Sequence, residues 1–236
     1  MGIFSSEDKG DGSSQVAEVT QEDASLTSKV ALATVKRILA LGLDGVGPLK
    51  SVDDIVAKAR SEHSDPEKVI DEICSDHVRE AAIGGFATGV GGLFTMPIAL
   101  PANVISYYVL AARMVGGVAA VRGYDVKDPD VRTALTLTMI GADADDMLKK
   151  AGVASGGKMA AIALDRVPRA AAMMINKGVG FRVATQLGSR LLGRLGRVVP
   201  LAGGAIGAGL DGFMMGRLAD VARREFPQVE GNQITE

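Results

Sequence analysis

Tryptophan is absent from the 236 residues, tyrosine occurs three times and phenylalanine six. So few rings argue against a groove that stacks the bases of single-stranded nucleic acid. The net charge of −2 lacks the overall basicity that such binders carry. One cysteine, Cys74, excludes an intramolecular disulfide and suits a reducing compartment. Two histidines and that cysteine cannot alone make an ordinary structural zinc site. Sustained two-residue alternation between hairpin turns is missing as well, which argues against half-buried strands. No basic stretch followed by an apolar one opens the sequence, so no secretory signal is expected.

Apolar residues, by contrast, make up 47 % of the chain, glycine supplies 30 residues, and mean hydropathy is +0.20. This composition buries a sizeable core and lets backbones approach closely. Charge is divided unevenly: residues 1–80 hold 9 basic and 16 acidic side chains, whereas residues 166–224 hold 10 and 2. The basic part calls for an anionic partner, either outside the chain or in its own acidic half.

Residues 1–24 are rich in serine, glycine and acids and read as a disordered acidic tail. A helical segment over 25–64 follows, with one helix to about Leu41 stopped by Gly42, Gly45, Gly47 and Pro48. Ser51 with Asp54 resembles a capping box that opens a second, short helix. Asp65-Pro66 and Asp128-Pro129 repeat one start signal, an acceptor side chain before a residue with no N–H to leave unpaired. The pattern predicts helices over about 66–95, 98–122, 128–151, 156–175, 178–198 and 201–225, followed by a tail over 227–236. The expected fold is all-α, a glycine-rich helical bundle with a central apolar helical hairpin.

No charged residue occurs between Glu80 and Arg113. Pro97 and Pro101 are expected to break this run, leaving neither half a comfortable membrane span. Gly85, Gly89 and Gly92 form a smooth stripe, and Gly203, Gly207, Gly212 and Gly216 repeat the device later. Small-xxx-small spacing suits tight helix crossings in lipid, and equally the core of a soluble bundle. Arg113 and Asp211 sit inside these apolar helices and are expected to pair, because an unpaired buried charge is costly. Alternatively, Arg113 snorkels and Asp211 faces a solvated groove. In 178–198, Arg182, Arg190, Arg194 and Arg197 line one face of an amphipathic helix. Such a face fits a membrane surface or an acidic partner, and equally a solvated bundle exterior.

Several motifs fail on inspection. GVASGGKM (152–159) matches a phosphate loop but ends in Met159, where a Mg²⁺-binding hydroxyl belongs. GAGLDG (207–212) lacks a βαβ setting. Asp71, Cys74 and His77 share a helix face but read as an ordinary charged helix, and Asp143, Asp145 and Asp146 lack the remainder of a calcium loop. No catalytic constellation remains, so neither an enzyme nor a cofactor is expected.

Three segments in order carry a resemblance: GGFATGVGGLFTMP (84–97), RGYDVKDPDVR (122–132) and VVPLAGGAIGAGLDGFMMGRLADVARREF (198–226). Together they resemble the bacterial EcsC family over residues 65–226. Leu100 before Pro101 departs from the acid that many members carry there. The resemblance implies a bacterial, cytoplasm-facing helical protein and implies no reaction. Combined with the residues above, it leads to an expected non-enzymatic adaptor or accessory factor at the inner face of the cell membrane. Its partners would be membrane lipid or an anionic surface, a protein partner or a second copy, and not nucleic acid. Gly123, Tyr124, Asp125 and Asp128 would form the turn between helices. The alternative is a soluble bundle that binds an apolar ligand, such as a fatty acyl chain, between its glycine-faced helices.

Overall fold

The computed structural model describes residues 29, 33–90, 92–140, 159, 168–180 and 200–229, with the side chains of 92–101, 103 and 200–202 left aside. The predicted tail over 1–24 lies outside these residues, as do residues 230–236 of the tail predicted over 227–236. So do residues 181–199, with Arg182, Arg190, Arg194 and Arg197, and the acidic cluster at Asp143, Asp145 and Asp146.

Every regular element among the described residues is helical. Helix α1 covers 33–39 and runs into a π-turn over Ala40–Asp44. Then follow α2 (Val52–Glu62), α3 (Pro66–Val90), α4 (Gly92–Val121), α5 (Pro129–Ile140), α6 (169–180) and α7 (Pro200–Glu225).

The start signals behave as the side-chain chemistry requires. The Asp54 N–H donates to Ser51 Oγ at 3.2 Å and the Ser51 N–H donates to Asp54 Oδ2 at 3.0 Å, a closed capping box at α2. Asp65 Oδ1 accepts from the Glu67 N–H at 2.9 Å, and Asp128 Oδ1 accepts from the Asp130 N–H at 2.7 Å.

Two boundaries differ from expectation. Gly42 does not end the first helix; it lies inside the π-turn, where an added Cβ would be 2.8 Å from both Ala112 Cβ and the Val109 carbonyl oxygen. The stop falls at Gly45, whose φ of +71° favours glycine. Within the long uncharged run α3 ends at Val90 and α4 begins at Gly92, and α4 continues through Pro97 and Pro101. Pro97 and Pro101 fall in the first third of this 30-residue helix, so the length beyond them keeps its hydrogen-bond ladder uninterrupted by proline.

The core gathers around α4. Ala111, Ala112, Met114, Val115, Val118 and Ala119 are fully buried, with Ile70 of α3, Met215 and Ala222 of α7, and Phe226 just after α7. Helix α5 is buried nearly all round, including Thr133, Thr136 and Thr138. Those hydroxyls donate to the carbonyls four residues earlier, at 2.9, 2.6 and 2.9 Å, so no polar atom of theirs is wasted.

Candidate functional site

Helices α3 and α7 form the most extensive pair in the fold. Their contacts run in opposite directions along the two chains. Asp71 pairs with Arg223 at 2.8 Å, Ala82 faces Gly212, Gly85 faces Gly207 and Gly89 faces Gly203. The helices are therefore antiparallel, and at the glycines their backbones touch with no side chain between them. A Cβ on Gly85 would sit 2.7 Å from Asp211 Oδ2 and closer still to the Gly207 carbonyl oxygen. A Cβ on Gly203 would lie 2.9 Å from the Gly89 carbonyl oxygen. Gly212 is less confined, with Ala82 Cβ at 3.2 Å from its own added Cβ. Gly216 lies off the crossing, since nothing comes within 4 Å of a Cβ there. Gly92 is the first residue of α4, and its packing lies outside what the structure describes.

With the inner faces occupied by glycine, bulky residues project outward. Ile206, Leu210, Phe213 and Met214 of α7 are 46, 45, 67 and 45 % exposed. They recur at helical spacing and form one stripe that ends at exposed Arg217. The only acid within that stretch, Asp211, is buried. Helix α6 presents a similar exposed face made of Arg169, Met173, Met174 and Lys177, with no acid. On α3, Ile83 and Phe86 are exposed too.

Arg113 and Asp211 are both buried but do not meet in an ion pair, contrary to expectation. Asp211 lies at the α3–α7 crossing beside Gly85. Arg113, on α4, faces the other flank of α3, where Glu80 is the acid whose field acts on it. Burial pushes the Arg113 guanidinium below its ordinary value, and Glu80 works in the opposite direction. Nearby His77 is also buried and is held below the ordinary imidazole range by that burial, with the Ile73 carbonyl acting against the shift. Its Nδ1–H donates to the Ile73 carbonyl at 2.7 Å, which leaves Nε2 as the bare acceptor.

Asp71, Cys74 and His77 do not converge on a metal. Asp71 is paired with Arg223, and His77 is turned onto its own helix. Burial raises the Cys74 thiol, against the pull of Arg223. No group of three metal-ligating side chains occurs among the described residues.

The Gly123–Asp128 turn joins α4 to α5 and also clasps the chain beyond α7. Gly123 has φ +95°. The Tyr124 hydroxyl donates to the Pro227 carbonyl at 3.0 Å, and the Val229 N–H donates to the Arg122 carbonyl at 3.0 Å. Asp125 Oδ1 accepts from the Lys127 N–H at 2.9 Å, and Asp128 caps α5. Arg132 is paired with Asp44, tying α5 to the π-turn. Sequence reasoning missed the partnership of Tyr124 with the segment after α7. No local pattern could have found it, since the two residues lie 103 positions apart in the chain.

Among the described residues one segment, Val104–Val121, is long and apolar enough to cross a membrane by length and composition, with a mean hydropathy of 1.6. It is 78 % buried within the fold, in the manner of a core helix.

The architecture defines an all-α protein built on a glycine-mediated crossing of two long helices. The profile of the EcsC protein family matches residues 14–228, most of the chain, and the protein belongs to that family. The match begins well before residue 65, so the N-terminal helices are part of the family unit. No curated protein and no solved structure matches the chain.

Proposed function

We propose that this EcsC-family protein is a non-enzymatic accessory or adaptor factor that docks peripherally on the cytoplasmic face of an anionic membrane. The observation that carries the reading is the α7 stripe, with four large apolar side chains held outward and Arg217 at its end. Apolar side chains gain free energy by entering the acyl boundary, and a neighbouring cation is drawn to anionic headgroups. The acid-free face of α6 has the same character, and the arginine-rich stretch 182–197 adds basic charge in sequence. Peripheral attachment suits the burial of Val104–Val121, which leaves that helix in the core.

That same burial favours a second reading, a soluble bundle that takes an apolar ligand. Flotation of the full chain with phosphatidylglycerol-containing vesicles separates the two. Binding that is weakened by salt and absent with phosphatidylcholine alone supports docking; protein that stays unbound with anionic vesicles overturns it.

A further inference from the structure

Between α2, α3 and α4 lies a cavity of ≈ 330 Å³, walled by Pro48, Leu49, Ile55, Ala59 and Ile73 on its apolar side. It lies near the lower end of the size range for small-molecule sites. Two side chains that line it are more than nine-tenths buried, Arg113 at 7 % exposure and His77 at 4 %. Both keep hydrogen-bonding atoms without a partner: Nε and Nη2 of Arg113, and Nε2 of His77. Folded proteins rarely leave buried donors and acceptors unmet, since each then loses its hydration without replacement. Arg113 and His77 thus leave two donors and one acceptor unmet in one cavity, and Glu72, which also lines it, adds a second unmet acceptor in Oε2.

The surrounding charges restrict what can satisfy them. Lys58 holds Glu72 Oε1 at 3.2 Å, Glu72 Oε2 lies 3.1 Å from His63 Nε2 without a hydrogen bond, and Asp76 is paired with Arg79 at 3.0 Å. Glu80 acts on Arg113 through its field and makes no ion pair with it among the described residues. Lys50 also lines the cavity. The guanidinium therefore still calls for an anion, and its planar fork suits an oxyanion. His77 asks for the opposite partner. Its Nδ1–H is committed to Ile73, so Nε2 accepts and needs an O–H donor.

We propose that this cavity binds a small oxyanion carrying a hydroxyl, with the oxyanion on the Arg113 fork and the hydroxyl donating to Nε2 of His77. Two common chemistries share this pattern: a 2-hydroxycarboxylate and a singly protonated phosphate. Neither requires the membrane stripe, so the site stands independently of the docking function.

The test is a titration of the ¹⁵N-histidine-labelled full chain with lactate, inorganic phosphate and acetate in turn. Saturable binding of lactate or phosphate that moves the His77 Nε2 resonance is the expected result. Preference for one of the two assigns the source. Acetate, which lacks the hydroxyl, should bind about tenfold more weakly than lactate. His77→Phe should erase that difference, and Arg113→Met should abolish binding altogether. If Arg113→Met does not fold, Arg113→Lys, which keeps the charge without the fork, should weaken lactate by about tenfold. An unmoved Nε2 resonance at high concentrations of all three anions overturns the proposal, as does acetate binding as tightly as the better of lactate and phosphate.

Discussion

Tyr124 and Phe226 meet edge to face, with ring centroids 5.3 Å apart and planes at 80°. Phe226 is fully buried, and beside it the Tyr124 hydroxyl holds the Pro227 carbonyl. The clasp joins the α4–α5 turn to the segment after α7, so its loss should loosen α7 from the bundle. Tyr124→Phe removes one part-buried hydrogen bond and should cost about 1 kcal/mol. Phe226→Ala should cost about 3–5 kcal/mol through the cavity it leaves. Urea denaturation of both variants checks the order; equal losses would mean that the ring contact is unimportant.

The glycine crossing makes a sharper contrast. Gly85→Ala forces a methyl group against the Gly207 backbone, which cannot rotate away, and should destabilise by roughly 3 kcal/mol. Gly209→Ala has nothing within 4 Å of its new methyl and relieves a helix of glycine's backbone entropy. It should stabilise by about 0.5–1 kcal/mol. Thermal melts of the pair settle the matter, and a Gly85→Ala protein as stable as the parent would contradict backbone contact.

His77 should impose an acid limit on stability. Burial depresses its folded pKa below the unfolded value of about 6.5. The unfolded state therefore binds the proton more readily, and the contribution is complete above pH 6.5. It diminishes as pH falls below the unfolded value, down to the folded one. Stability measured between pH 7.5 and 5 should decline more steeply for the parent than for His77→Gln, and matching slopes would exclude the effect.

The membrane stripe can be altered without touching the core. Leu210→Glu with Phe213→Glu replaces two exposed side chains, so folding stability should change by no more than about 0.5 kcal/mol per site. Vesicle partitioning should nevertheless fall by roughly 100-fold or more, because two apolar insertions are lost and two charges added. Flotation intensity unchanged in the double variant would remove α7 from the contact.

Much of this fold was legible from local chemistry. Ser51 with Asp54, Asp65-Pro66 and Asp128-Pro129 announce their helices because a cap involves only the first turn. The facing stripes of Gly85 and Gly89 with Gly203 and Gly207 could be read because small-residue spacing leaves a gap only another backbone can fill. The division of the run into helices ending at Val90 and starting at Gly92 was harder to read, since the two prolines signal a break that the helix instead passes through. The partners of buried charges were not legible at all. Arg113 responds to Glu80 and not Asp211 because α4 presents it to the far flank of α3, a choice made by the packing of three helices. The cavity beside His77 depends in the same way on α2 closing over α3 and α4.

The clasp at Tyr124 has a consequence in time as well as space. Tyr124 and Pro227 are separated by 103 residues of chain. At a synthesis rate of about 5–20 residues per second, the tyrosine is added to the chain roughly 5–20 s before its partner is made. The glycine face of α3 waits longer still, because Gly85 precedes Tyr124 and its cover on α7 comes just as late. A nascent chain thus carries the uncovered glycine end of α3, uncharged from Ala81 to Val90, through about half of its own translation. It is in that interval, before α7 arrives, that the protein is most open to capture by chaperones, by lipid or by other unfinished copies.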